Sequence, residues 1–356
     1  MRIIHTSDLH LSSKKPERFK ALENIISTAK KKRADLLLIS GDLFDSNEEA
    51  DILRPGLRNI FSSLPFSIIA IPGNHDMEAY RSDMNFGNSI RVAVKQPFEI
   101  IDHKDISIIA VPYANQNFND LAGPLKERIN NTKINILMIH CSLDIPYLGE
   151  DEYGDEKRQA YLPVNSKILG DIGFDYVFAG HFHSRVVENR ISEKTIFTYS
   201  GSPVSITRKE KGRRRIAFLD TKTPGSRRLS FIGLDSFYYE SIGIDFHPGK
   251  EEGALSDLRE KLENYKGQEV ELEISLGGFI SSGEKEIGKK IRQIAEEAGS
   301  QKTIIDIKEN YRGIKAVLED PLYMAFKERL MGKDMEQDLK DEIDSLVIMQ
   351  FSRMKT

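Results

Sequence analysis

One cysteine, Cys141, occurs in 356 residues. A lone thiol forms no intrachain disulfide and cannot supply the thiolates of a structural zinc site, and it suits a reducing, cytoplasmic setting. Long apolar runs are lacking too. Leu36–Ile39 and Ile68–Ile71 are among the longest, far short of the roughly 20 residues a membrane helix needs. The N-terminus, MRIIHTSDLH, carries charge inside its apolar stretch and has no signal-peptide core. No membrane association is expected. Nor is there an excess of basic charge. The 51 Lys and Arg against 55 Asp and Glu leave a net charge of −4, which excludes a globally basic nucleic-acid binder but not a local basic patch. No aromatic ladder for base stacking is evident, so sequence-specific base reading is not expected. Internal repeats and low-complexity tracts are absent. What is present, 39% hydrophobic and 30% charged residues, supports a sizeable core and two or three domains.

The first two-thirds alternates short apolar runs with amphipathic stretches. Arg2–Thr6, Asp35–Ser40, Phe66–Ile71, Ile106–Val111, Ile134–His140 and Phe174–Ala179 are predicted as buried strands. Glu17–Arg33 places Phe19, Leu22, Ile25, Ile26 and Ala29 at helical spacing. Strand, helix and strand repeated in this way predict a layered α/β domain. After about residue 235 a β-α-β-α-β pattern follows: Phe237–Phe246, Glu251–Tyr265, Glu269–Leu276, Gly283–Ala298 and Lys302–Lys308. Asp320 then caps a predicted helix with Pro321 at its first position, Leu322, Phe326 and Leu330 along one stripe and Gly332 at its end. A second amphipathic helix is predicted after Asp334, with Met335, Leu339, Ile343 and Leu346.

Polar residues gather where the strands end: Ser7-Asp8-Leu9-His10, Gly41-Asp42, Pro72-Gly73-Asn74-His75-Asp76, His140 and Gly180-His181-Phe182-His183. Ligands of open α/β sheets sit beyond the carboxyl ends of strands. Asp8, His10, Asp42, Asn74, His140, His181 and His183 are therefore candidate ligands of a two-metal site. Carboxylate, imidazole and amide oxygen without sulfur suit manganese, iron or a similar cation. Asp8-x-His10 and His181-x-His183 are each expected to place two donors on the same side of an extended segment, because side-chain parity repeats every two residues. One carboxylate, with Asp42 the candidate, can bridge two cations. Metals about 3.5–4 Å apart clamp the attacking and leaving oxygens of a phosphoryl displacement.

The order D-x-H, G-D, G-N-H-D, H, G-H-x-H resembles the signature of the calcineurin-like metallophosphoesterase superfamily over roughly residues 1–220. Ser7–Leu11, Gly41–Asp45 and Ser200-Gly201-Ser202-Pro203 most resemble its DNA-repair nuclease branch, SbcD and its Mre-type counterparts. Leu9 stands where that branch usually has Trp, and Asp45 where His is common. The resemblance implies a β-sandwich flanked by helices over residues 1–235, a smaller α+β capping domain over 236–312 and a helical partner-binding segment over 313–356. It implies that Asp8, His10 and His183 hold one metal, that Asn74, His140 and His181 hold the other, and that Asp42 touches both. His75 would act at the scissile phosphate, with Asp76 orienting its ring. The implied protein is a nuclease with two Mn2+ per chain, exonuclease and single-strand endonuclease activity and attack by a metal-bridging hydroxide. It would be a homodimer working on DNA with an SMC-like ABC-type ATPase in double-strand-break repair. A second reading keeps the chemistry and changes the substrate to a small phosphoester or a phosphoprotein.

The run Arg208–Arg215, RKEKGRRR, is a candidate grip on DNA phosphates through Arg208, Lys209, Lys211, Arg213, Arg214 and Arg215, or else a solvated hairpin around Gly212. Gly278–Gly283 is followed by Glu284-Lys285, not Lys-Ser or Lys-Thr, so it is no phosphate-binding loop. His5, His103 and His247 have no partners by spacing and are read as structural.

Overall fold

The first apolar run forms β1 (Arg2–Thr6), and the amphipathic stretch after it forms α1 (Pro16–Lys32). Proline suits the first turn, and Lys30, Lys31 and Lys32 face the negative end of the helix dipole. Next come β2 (Leu36–Ser40), α2 (Asn47–Ile60), β3 (Ser67–Ile71) and β4 (Ile90–Val92). Ser46 caps α2 by accepting the Glu49 N–H. The chain continues through β5 (Glu99–His103), β6 (Ile106–Val111), α3 (Phe118–Lys126), β7 (Ile134–His140) and β8 (Ser142–Leu143). Then follow β9 (Pro163–Val164), α4 (Ser166–Ile172), β10 (Tyr176–Gly180), β11 (Val187–Arg190), β12 (Ile196–Tyr199), β13 (Arg215–Asp220) and β14 (Leu229–Gly233). The computed structural model describes residues 1–81, 84–144, 162–281 and 283–354.

These elements lie in a first compact unit, Met1–Tyr239. Its main sheets have the strand orders β14-β13-β1-β2-β3-β4 and β11-β12-β10-β7-β6-β5. Alternation along each strand divides the apolar side chains into layers. Ile3, Leu36, Leu38, Ile69 and Ile71 pack with Ile106, Ile108, Ile136, Met138 and Phe178 between the sheets. Ile4, Leu37, Ile39 and Ile68 face Leu22, Ile25 and Ala29 of α1. Ile109, Leu137, Ile139 and Val177 face Phe118 of α3 and Leu169 of α4. Helix, sheet, sheet, helix is the layered α/β arrangement expected. Burial on both faces explains why these strands read as near-continuous apolar runs.

The second unit, Glu240–Thr356, takes up most of β15 (Tyr238–Phe246). It continues through α5 (Glu251–Glu263), β16 (Val270–Ile280), α6 (Glu284–Ala298), β17 (Thr303–Glu309), β18 (Arg312–Gly313), α7 (Lys315–Leu318), α8 (Pro321–Met331) and α9 (Gln337–Met354). Its sheet runs β15-β16-β17, with β18 beside β16. Asp320 caps α8 by accepting the Leu322 and Tyr323 N–H groups. Of the predicted stripe on α8, Leu330 is buried and Phe326 packs inward, and only Leu322 departs from it. Leu322 is 65% exposed, while Tyr323 packs with Phe279 and Val317, and Phe326, Val347 and Ile348 lie against them. The Tyr323 hydroxyl donates to Asp344 of α9 at 2.7 Å, which turns that side of α8 inward.

His5 of β1 ties the two sheets of the first unit together. The Ser40 hydroxyl donates to the Phe178 carbonyl at 2.9 Å, so it accepts the His5 Nε2–H at 3.0 Å. The imidazole also stacks on Phe178 with centroids 4.6 Å apart. Burial pushes its pKa down to about 3. Below pH 6.5 the unfolded chain binds a proton that the folded chain refuses, so this contribution to stability is lost as pH falls toward about 3. Urea unfolding at pH 7 and pH 5 should show the wild type losing about 2 kcal/mol more than His5→Phe between those values. Equal losses would place the imidazole's pKa near its ordinary value.

Candidate metal centre

The polar strand ends converge. β1, β2 and β3 of one sheet and β7 and β10 of the other deliver Asp8, Asp42, Asn74, His140 and His181 from their carboxyl ends. The backbone leaves the extended region at these points. Asp8 (φ 55°), His10 (φ 45°) and Asp42 (φ 50°) are left-handed, and His181 has φ 99°. Such conformations cost about 1–3 kcal/mol each and persist where the surroundings over-determine them. Side-chain parity therefore does not set the direction of Asp8 and His10. Backbone hydrogen bonds from Asp8 N to Gly41 O (3.1 Å) and from His10 N to Asp42 O (3.0 Å) hold that loop against the next one. Gly41 and Gly73 make room. A Cβ on Gly41 would lie 2.1 Å from His140 Nδ1, and one on Gly73 would lie 2.1 Å from Asp42 Oδ1.

Asp8, His10, Asp42 and His183 form a group that could hold a metal ion, each offering a ligand atom within 4.8 Å of the others. His10 Nε2 lies 3.2 Å from His183 Nε2 and 3.8 Å from Asp42 Oδ2, and His183 Nε2 lies 3.7 Å from Asp8 Oδ1. On the other side of Asp42, His140 Nε2 lies 3.3 Å from Asp42 Oδ2 and 2.8 Å from Asn74 Oδ1. The His181 ring stands edge-on to His140, with centroids 5.4 Å apart, and its backbone N–H donates to Asp8 Oδ1 at 2.9 Å. His10 and His140 thus approach Asp42, Asp8 and His183 join His10 in one group with it, Asn74 meets His140, and the His181 ring stands beside His140. The donor set fits divalent cations. Asp42 Oδ2 is buried and accepts no hydrogen bond. His140 donates through Nδ1 to the Ser40 carbonyl at 3.0 Å, so its Nε2 and the Asn74 oxygen face one another as two acceptors unless a positive charge lies between them.

The electrostatics agree. Burial opposes ionisation of Asp42, but the charges of His140, His10 and His75 outweigh it and hold the carboxyl well below its usual range. Burial likewise opposes protonation of His140, and the Asp42 and Asp8 carboxylates overcome it, pushing the imidazole up to about 10. Protons and cations compete for these atoms. Asp76 is pushed up to about 6 by burial and by the Asp42 charge.

Two expected roles need correction. Asp76 does not orient His75. Its carboxylate accepts from Gly73 N (2.8 Å), Phe44 N (3.2 Å) and the Tyr80 hydroxyl (2.6 Å), because the turn after Asn74 points it beneath the loop. His75 Nδ1 instead meets the Asp45 carbonyl at 3.3 Å, and the His75 backbone N–H donates to Asp42 Oδ1 at 2.9 Å. Arg214 is not a surface grip. Its buried guanidinium donates to the Ser202 and Ser184 carbonyls at 2.9 and 2.7 Å and to the His183 carbonyl. Arg208, Lys209, Lys211, Arg213 and Arg215 are exposed, and Arg213 pairs with Asp235 at 2.7 Å.

Sequence reasoning missed several supporting groups. Arg18 of α1 donates to the His10 carbonyl (2.6 Å) and to Asp45 Oδ1 (2.7 Å), and that oxygen lies 3.5 Å from His10 Nδ1. Glu210, the one acid of RKEKGRRR, is buried behind His183 with its oxygen 3.6 Å from Nδ1. Burial opposes its ionisation, but His183, the Ile206 N–H and Arg214 hold the carboxyl below its usual range. A single acid inside a basic run was the available signal for Glu210. Among the described residues no helix is long and apolar enough to cross a membrane.

An α/β sandwich with an oxygen and nitrogen donor cluster beyond its strand ends defines a phosphoesterase-type architecture. The calcineurin-like phosphoesterase family matches residues 1–185, and the chain belongs to it. It is 26% identical over 238 residues to the SbcD subunit of the nuclease SbcCD from Staphylococcus epidermidis, covering 57% of this chain and 61% of that protein. It is 24% identical over 284 residues to the uncharacterised metallophosphoesterase YhaO of Bacillus subtilis, covering 73% of this chain and 67% of that one. The chain thus spans about three-fifths to two-thirds of the length of these relatives. Among solved structures, a dimetal phosphatase from Danio rerio aligns with a TM-score of 0.45 at 8% identity, covering 66% of this chain and 96% of that one.

Two outcomes follow. Gly73→Ala pushes a methyl group into Asp42, so isothermal titration should show divalent-cation affinity at least about tenfold weaker with the circular dichroism spectrum intact. Cys141 is buried and its thiol is pushed up to about 12, so a thiol-exchange reagent at pH 8 should react only after denaturant is added. Rapid reaction of the native chain would contradict its placement.

Proposed function

We propose that the chain is a manganese-dependent DNA nuclease, with exonuclease and single-strand endonuclease activity, and the nuclease subunit of a double-strand-break repair complex. The observation that carries this is the buried group of Asp8, His10, Asp42 and His183, with His140 and Asn74 beside Asp42, in a chain similar to a nuclease subunit along more than half its length. In this reading Asp8, His10 and His183 hold one cation, Asn74, His140 and His181 the other, and Asp42 both. The cations, when bound, supply charge neutralisation at the phosphate and a nucleophile at neutral pH. His75 is the catalytic side chain. With its Nδ1–H donated to the Asp45 carbonyl, the doubly protonated imidazolium would use its Nε2–H to stabilise the phosphate or to protonate the leaving oxygen. Asp76 acts indirectly, by bracing the loop that carries His75.

The exposed Arg208, Lys209, Lys211, Arg213 and Arg215 are read as contacts to the DNA backbone. Exposed Leu322, Met324 and Met331 on α8 and Leu339 and Leu346 on α9 suit docking of an SMC-like ATPase, and the working assembly is read as a homodimer. Purified chain with Mn2+ should cleave both a labelled duplex bearing a single-strand overhang and bis-p-nitrophenyl phosphate. Cleavage of the small ester alone would favour a phosphatase or small-substrate phosphodiesterase. His75→Gln should lower both activities more than about 100-fold while the Mn2+ content measured by mass spectrometry stays within error. Loss of metal together with activity would overturn the role given to His75.

A further inference from the structure

Glu210 is fully buried beside the donor cluster, and the chemistry above gives it no task. Its carboxylate accepts from the Ile206 N–H (2.8 Å), the Ser202 hydroxyl (3.1 Å) and the Thr207 hydroxyl (3.5 Å). Its Oε1 lies 3.6 Å from His183 Nδ1, an ion-pair separation that a small ring rotation closes to an N–H···O bond. Arg214, also buried, adds positive charge but directs its donors at the carbonyls of His183, Ser184 and Ser202. A buried carboxylate needs a positively charged or strongly donating neighbour, and the His183 ring is in place to be one.

The ring is held between two functions. Nε2 faces His10 Nε2 and Asp8 Oδ1, and Nδ1 faces Glu210. A carboxylate on Nδ1 keeps the proton there, so the Nε2 lone pair points into the cluster, and it raises the basicity of that nitrogen. His140 differs, since its Nδ1 donates to the neutral Ser40 carbonyl. His10 also has a carboxylate, Asp45, near Nδ1, but that side chain is 42% exposed and shared with Arg18, so its charge is screened and compensated.

We propose that Glu210 is a positioning residue for His183: it fixes the Nδ1–H tautomer and thereby strengthens one of the two cation positions, the one made by Asp8, His10 and His183. This rests on the two-cation reading above. Glu210→Gln keeps an oxygen for the Ile206 and Ser202 donors and removes the charge. Full-length wild type titrated with Mn2+, free ion being read by electron paramagnetic resonance, should take up two equivalents. The variant should bind one of them about 10- to 100-fold more weakly and the other unchanged, with the same melting temperature in metal-free buffer. Two equivalents bound as in the wild type, or both weakened together, would overturn the proposal. A wild type that takes up no Mn2+ would overturn the two-cation reading itself. If the variant does not fold, ring-nitrogen NMR of zinc-loaded wild type decides, with His183 assigned by His183→Gln. A slowly exchanging proton on Nδ1 is expected, and its absence would overturn the role of Glu210.

Discussion

Asp42 is the constraint on which the first unit is built. It is a buried carboxylate at the end of β2, with one oxygen accepting the His75 N–H and the other set among imidazoles without a hydrogen bond. A buried charge destabilises the fold unless it is compensated. Here the compensation comes from His140, His10 and His75, which stand at or beyond the ends of three strands in two sheets. Two glycines leave the space, and four left-handed or positive-φ residues redirect the chain. The sandwich core pays for this arrangement. Layers of Ile, Leu and Phe between and outside the sheets supply the stability that a polar, strained centre removes.

Around that centre the loops are braced by buried charge as well as by apolar contact. Asp76 collects two backbone N–H groups and a tyrosine hydroxyl under the loop that carries His75. Arg18 and Arg214 do the reverse, each donating to the backbone carbonyl of a candidate ligand, His10 and His183. A guanidinium presents five donors in a rigid fork, so one side chain can satisfy several carbonyls left unpaired by irregular backbone. Both arginines sit at places where the chain has left the strand, and a sheet ladder there could not satisfy those carbonyls.

Much of this was legible in the sequence, and the reason is periodicity. Ile106–Val111 and Ile134–His140 are bounded as predicted because burial on both faces makes the apolar run end where the strand ends. The donors were visible because each follows such a run. Long-range placement was less legible. Within the α8 stripe Leu322 alone misled, because Tyr323, an amphipathic residue, occupies the inner face there and satisfies its hydroxyl on Asp344. Arg214 looks like its neighbours in RKEKGRRR, and only its inward direction, toward the carbonyls of His183, Ser184 and Ser202, separates it from Arg213 and Arg215. Asp76 was assigned to the adjacent ring because adjacency in sequence is easily taken for contact, whereas the turn sends the two side chains apart.

The two sides of the centre are built from different materials. On one side stand Asp8, His10 and His183, with the buried Glu210 carboxylate outside them, so negative charge is concentrated there. On the other, His140 rests on the Ser40 carbonyl and faces Asn74, and neither contributes a formal negative charge of its own. Asp42 is shared by both. A cation on the first side is attracted by more carboxylates at short range, and at low effective dielectric such differences are large compared with thermal energy. Attraction by Asp42 and Asp8 raises the affinity of His140 for a proton, and the same field favours a cation there, so proton and metal compete for one set of atoms without altering the shape of the cradle. The strained backbone that holds Asp8, His10 and Asp42 in place therefore performs its work before any ligand arrives.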